Sequence, residues 1–76
     1  MNFKEATDAL FANISHSSLA ERLAVSVAAI RQARLRDTAK AYRRPPQDWR
    51  YAVIRLAEMQ VMHYRKLIDD VRRDLP

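Results

Sequence analysis

At 76 residues with a formal net charge of +5, the chain is one domain, and a domain of this size buries only about 60% of its unfolded surface, so a partner subunit would add to a marginal stability. It has no cysteine and no glycine. Disulfides, zinc–thiolate sites and thiol nucleophiles are thereby excluded, as are glycine loops that cradle phosphates and glycine-built hairpins.

Helix is favoured along the whole chain, because proline occurs only at Pro45, Pro46 and Pro76. Asn2 is a suitable N-cap, and Phe3, Ala6, Leu10 and Ile14 follow at three- and four-residue steps, which predicts a first helix over residues 3–13. Ser15 is placed to cap a second helix, with Ser18 and Glu21 as an alternative capping box one turn on. Leu19, Ala20 and Leu23 form its inner face. Ser26 reads as the cap of a third helix in which Ile30 and Ala33 point inward and whose end frays between Arg36 and Lys40. Tyr42 to Pro46 is a connector, since each proline biases the residue before it away from helix. A last helix then runs uninterrupted from about Pro46 to Asp74, roughly 28 residues and on the order of 40 Å. The expected fold class is all-α: a compact core of three short helices in residues 1–45, followed by a long C-terminal helix, residues 46–76, that packs on the core and extends beyond it to form a dimer interface.

The stretch from His16 to Leu35 has a small residue, Ala20, where two helices would cross. Leu19, Leu23, Val25, Ile30 and Ala33 supply apolar inner positions, and a tight turn falls at Ala24 to Ser26. In these residues the sequence resembles the Cro and phage-repressor family of helix-turn-helix transcriptional regulators. Ala24 departs from the family pattern, which has a left-handed glycine at the turn; an alanine there costs about 1 kcal/mol or remodels the turn. The resemblance implies that the third helix enters the major groove of double-stranded DNA, with Val27, Ala28, Arg31, Gln32 and Leu35 as its outward, base-contacting positions. Arg31 suits guanine, Gln32 suits adenine, and Val27 and Ala28 suit a thymine methyl. Ser26 and the amides at the helix start would hold a phosphate.

Charge is distributed in the same sense. Residues 31–50 hold Arg31, Arg34, Arg36, Lys40, Arg43, Arg44 and Arg50 against Asp37 and Asp48, so the whole excess lies in this segment, as in polyanion binders. Arg34, Arg36, Lys40, Arg43 and Arg44 are expected phosphate contacts. Arg43 and Arg44 beside the prolines read equally as an arm along a groove or as a solvated linker.

The last helix has two stripes. Trp49, Val53 and Leu56 close the core. Ile54, Ala57, Val61, Tyr64, Ile68, Val71 and Leu75 repeat in strict three- and four-residue steps, a heptad seam that Leu67 widens and whose margins Met59 and Met62 can fill. So long a seam points to a homodimer, with parallel and antiparallel pairing both open. It would place two recognition helices about one helical turn apart on a partly palindromic operator.

Catalytic chemistry finds no foothold. His16 and His63 lack partners at metal-ligand or base spacing, the adjacent Asp69 and Asp70 splay around a helix, and Ser15, Ser17 and Ser18 are better caps than nucleophiles. No enzyme activity, metal, cofactor or small-molecule effector is expected. No apolar run approaches the ~20 residues of a membrane span, and Met1-Asn2-Phe3-Lys4-Glu5 lacks the basic-then-apolar order of a signal peptide, so a cytoplasmic protein without membrane contact is expected. The leading expectation is a small homodimeric repressor or autoregulator that binds DNA sequence-specifically. Its rivals are a protein-interaction module of the antiactivator type and a non-specific nucleic-acid-binding protein.

Overall fold

The structure, a computed structural model, describes all 76 residues as four helices without strands: α1 (Phe3–Leu10), α2 (His16–Leu23), α3 (Val27–Ala33) and α4 (Trp49–Arg73). Side-chain caps start the first three. The Glu5 N–H donates to Asn2 Oδ1 (2.8 Å) and the Asn2 N–H to Glu5 Oε1 (3.1 Å), a reciprocal capping box. Ser15 Oγ accepts from the Ser18 N–H (3.1 Å) and Ser26 Oγ from the Ala29 N–H (3.0 Å). Ser15 is therefore the cap of α2, and Ser18 lies inside its first turn.

Three boundaries differ from those read in the sequence. Residues 11–13 leave α1 as turns, with the Leu10 carbonyl accepting from both Asn13 and Ile14, because Ser15 needs extended backbone to cap α2. At the end of α3 the Gln32 carbonyl accepts from the Leu35 and Arg43 N–H groups (3.3 and 3.4 Å). The connector, residues 34–48 in the structure, is thus folded back on the helix end, and Leu35 lies in it rather than on the outward face of α3. Pro46 precedes α4 instead of opening it; its carbonyl accepts from the Trp49 N–H (3.1 Å).

The core gathers one face of every helix: Phe3, Ala6 and Leu10 of α1, Leu19, Ala20 and Leu23 of α2, Ile30 and Ala33 of α3, and Trp49, Ala52 and Leu56 of α4. Leu19 and Ile30 are fully buried where α2 and α3 cross, and Ala20 beside them lets the two backbones approach. Phe3 meets Trp49 edge-on, with ring centroids 5.2 Å apart. Val53 is only half-buried at the margin, and Ala52 occupies the inner place. Thr7 is buried but satisfied, its hydroxyl donating to the Phe3 carbonyl (2.7 Å).

Between α2 and α3, Ala24 adopts φ 57° and ψ 41°, the one left-handed residue of the chain. The Val25 N–H donates to the Ala20 carbonyl (2.9 Å) and the Ala24 N–H to that of Glu21 (3.1 Å), the paired bonds of a Schellman termination. This geometry normally uses glycine, since a Cβ costs roughly 1–2 kcal/mol in the left-handed region.

Only the first two to three turns of α4 touch the core, and every residue from Val61 onward is exposed. The radius of gyration is accordingly 15.5 Å, against about 11 Å for a compact chain of this length. The accessible surface is 6060 Å², about 1,200 Å² more than a globular monomer of this mass exposes.

Ala24→Gly should raise stability by about 1 kcal/mol, the relieved strain exceeding the added freedom of the unfolded chain. In a thermal melt this corresponds to an upward shift of about 4–8 °C. An unchanged or lower midpoint would show that the turn carries no strain at Ala24.

Candidate nucleic-acid interface

Because α3 turns Ile30 and Ala33 into the core, its opposite side faces solvent. Ala28 and Arg31 are exposed there and Gln32 is half-covered at the edge, so these three share the open face. Val27 lies half-buried against the core. Of the five base-contact positions read in the sequence, the structure brings Ala28, Arg31 and Gln32 together, covers part of Val27, and puts Leu35 on the connector. Ser26 already accepts from the Ala29 N–H, which leaves its own hydroxyl proton free to donate.

The expected phosphate contacts divide into two groups. Arg36, Lys40, Arg43 and Arg44 are exposed along the connector; Arg43 turns back to donate through Nη1 to the Tyr42 carbonyl (2.8 Å). Arg34 is engaged internally. Its Nη2 pairs with Asp8 on α1, its guanidinium lies 5.0 Å from the centroid of the Phe11 ring, and its side chain is only 19% exposed. Asp8 is shared with Lys4 (2.7 Å), one turn earlier. The hydrogen bond from Lys4, with further support from Arg34, holds the Asp8 carboxyl below its ordinary value of 3.8. Sequence reasoning assigned Arg34 to phosphate because its partner lies on another helix, out of reach of any local pattern.

One further cation is positioned by the fold without having been given a role. Arg50, exposed at the start of α4, holds its guanidinium 4.3 Å from the centroid of the Trp49 ring. A cation next to a tryptophan in the basic segment was the available signal.

His16, the first residue of α2, stacks on Phe11 with ring centroids 3.9 Å apart. Desolvation, and then the charges of Arg34 and Arg31, hold it below the ordinary 6.5. No group of three or more metal-ligating side chains occurs, and no helix is long and apolar enough to cross a membrane. On α4, Ile54, Ala57, Val61, Tyr64, Leu67, Ile68 and Val71 are all exposed, as are Met59 and Met62; Leu75, also exposed, lies just beyond the helix, its N–H donating to the Arg72 carbonyl (3.1 Å).

No protein-family model, curated protein or solved structure matches this chain.

The His16 environment predicts a pH dependence. A histidine depressed in the fold binds its proton first in the unfolded chain, so the stability present at neutral pH is lost as pH falls from about 6.5 through the folded value. Asp8 acts lower, its contribution being lost only as pH drops below about 3.8. Denaturant melts at pH 7.5 and 5 should therefore show a loss for the parent chain and a smaller loss for His16→Gln. Equal losses would assign the effect to other groups.

Proposed function

We propose that this protein is a homodimeric, sequence-specific DNA-binding regulator of the repressor or autoregulator type, in which α2, the turn at Ala24 and α3 act as a helix-turn-helix. The observation that carries the reading is the construction of α3. One face is locked to α2 by Ile30, Ala33 and the Schellman turn, while the other presents Arg31, Ala28 and the edge of Gln32 beside the exposed cations Arg36, Lys40, Arg43 and Arg44. A rigid helix with a guanidinium on its open face suits bidentate contact with guanine, and the amide of Gln32 suits adenine. The connector cations add sequence-independent attraction to phosphate. Arg34 contributes to the position of α3 and not to this count. Ile54, Val61, Tyr64, Ile68 and Val71 form the dimer seam with Ala57, Leu67 and Leu75, and pairing doubles the number of half-sites read.

The exposed apolar length of α4 also favours a second reading, a module that grips another protein. That reading predicts no salt-dependent affinity for DNA.

Duplexes selected from a random pool, titrated against scrambled DNA at two salt concentrations, should show a preference of about 10³ or more for the selected site. Equal affinity for all duplexes would make the protein a non-specific binder. Arg31→Ala should weaken the selected site by about 1–3 kcal/mol and relax preference at one base pair, whereas equal loss on both duplexes would reduce Arg31 to a phosphate contact. Ile68→Glu should sediment as a monomer and lose tight binding; a persisting dimer would remove the seam from the assembly.

A further inference from the structure

The exposed series on α4 does not sit opposite the face that packs on the core. It lies roughly a quarter turn around the helix at 100° per residue, on the side where α1 runs. There Ala6, Ala9 and Leu10 of α1 and Val53 and Ala57 of α4 line an apolar groove. Three alanines, Ala6, Ala9 and Ala57, leave room between the larger walls Leu10 and Val53 for a large side chain from outside, and Ala57 belongs both to the groove and to the exposed series. The seam and the groove are one continuous surface.

We propose that two copies of the chain pair their α4 helices antiparallel, with the twofold axis near Lys66, and that the C-terminal turn of each copy closes the α1–α4 groove of the other. The proposal rests on the homodimer reading above and specifies its geometry. In an antiparallel pair about this axis the two kinds of seam position from Ala57 to Leu75 face each other, and Ile54 lies outside the paired stretch. Ile68 then lies opposite the partner's Tyr64 and Val61 opposite the partner's Val71. Ala57 lies opposite the partner's Leu75, which seats a leucine over the groove. A parallel pair sets Ala57 against the partner's Ala57, two small residues together, and leaves both grooves open.

The charges beside the seam agree. Antiparallel pairing brings Glu58 beside the partner's Arg72 and Gln60 beside the partner's Asp74. Parallel pairing sets Gln60 against the partner's Arg65 and Leu67 against the partner's Arg72, with no opposite charges matched. The cost of the antiparallel form is Arg65 near its own copy, and Asp69, one turn along the same helix, offsets it. The surface available is sufficient, since the chain exposes about 1,200 Å² beyond a compact monomer and a stable interface takes about 800 Å² from each partner. The arrangement also separates the two cores. Val53 lies about 20 Å along the helix from the axis, so the cores stand about 40 Å apart, close to the 34–36 Å of one DNA turn.

The absence of native cysteine makes the test direct. Val61→Cys and Val71→Cys are prepared separately, one with a mass tag, then mixed, allowed to exchange and oxidised with glutathione; Ala57→Cys and Leu75→Cys are treated likewise. The tagged–untagged disulfide should be the main product of each mixture, with Val61→Cys alone giving little. A dominant Val61→Cys homotypic disulfide would overturn the antiparallel arrangement and leave the dimeric DNA-binding reading standing. The same holds for a dimer in sedimentation in which neither mixed pair forms. A parent chain that sediments as a monomer would overturn the arrangement and the dimer together.

Discussion

Trp49 is the point at which the long helix becomes part of the fold. Its indole meets Phe3 edge-on, and Phe3 opens a helix whose start is fixed by the Asn2–Glu5 capping box. Apart from this ring, α4 gives the core only Ala52 and Leu56 as buried side chains, with Val53 at the margin. Aromatic side chains bury 150–250 Å² each, so this one residue supplies a large share of what holds α4 against α1 and α2. Both the solvent face of α3 and the free length of α4 are therefore held in position by the same small core.

The cations of the central segment serve two ends. Arg34 joins α3 to α1 through Asp8 and stacks on Phe11, which in turn stacks on His16, so three helices meet in one cluster of charge and ring. Arg36, Lys40, Arg43 and Arg44 remain on the solvent side. In the DNA-binding reading proposed above, attraction to phosphate and orientation of α3 would draw on the same run of residues, yet on different members of it.

Local chemistry made much of the fold legible in the sequence. Asn2, Ser15 and Ser26 cap helices because a short oxygen-bearing side chain reaches an N–H three residues on, and the inner residues of α2 and α3 follow from their spacing. The turn at Ala24 was recognisable from the helices around it despite the missing glycine. What escaped depends on contacts between distant residues. The end of α3 is set by Arg43 returning to Gln32, the partial covering of Val27 by the core, and the role of Arg34 by an aspartate on α1. The division of α4 into an anchored and a free part was visible from length alone, because a core of this size cannot cover a helix of 25 residues. Ala57 as a shared wall of groove and seam was not, since α1 has to be placed first.

Helix α4 contains neither glycine nor proline between Trp49 and Arg73. Sharp kinks in helices need such a residue, a bulge or an inserted group, so α4, which has none, acts as a lever with its fulcrum at Trp49 and Leu56. A tilt of about 5° at that end moves the far end, some 25 Å away, by about 2 Å. Small repacking around Phe3 and Leu10 is thus magnified along the rod, and substitutions deep in the core can alter geometry at a surface they never touch.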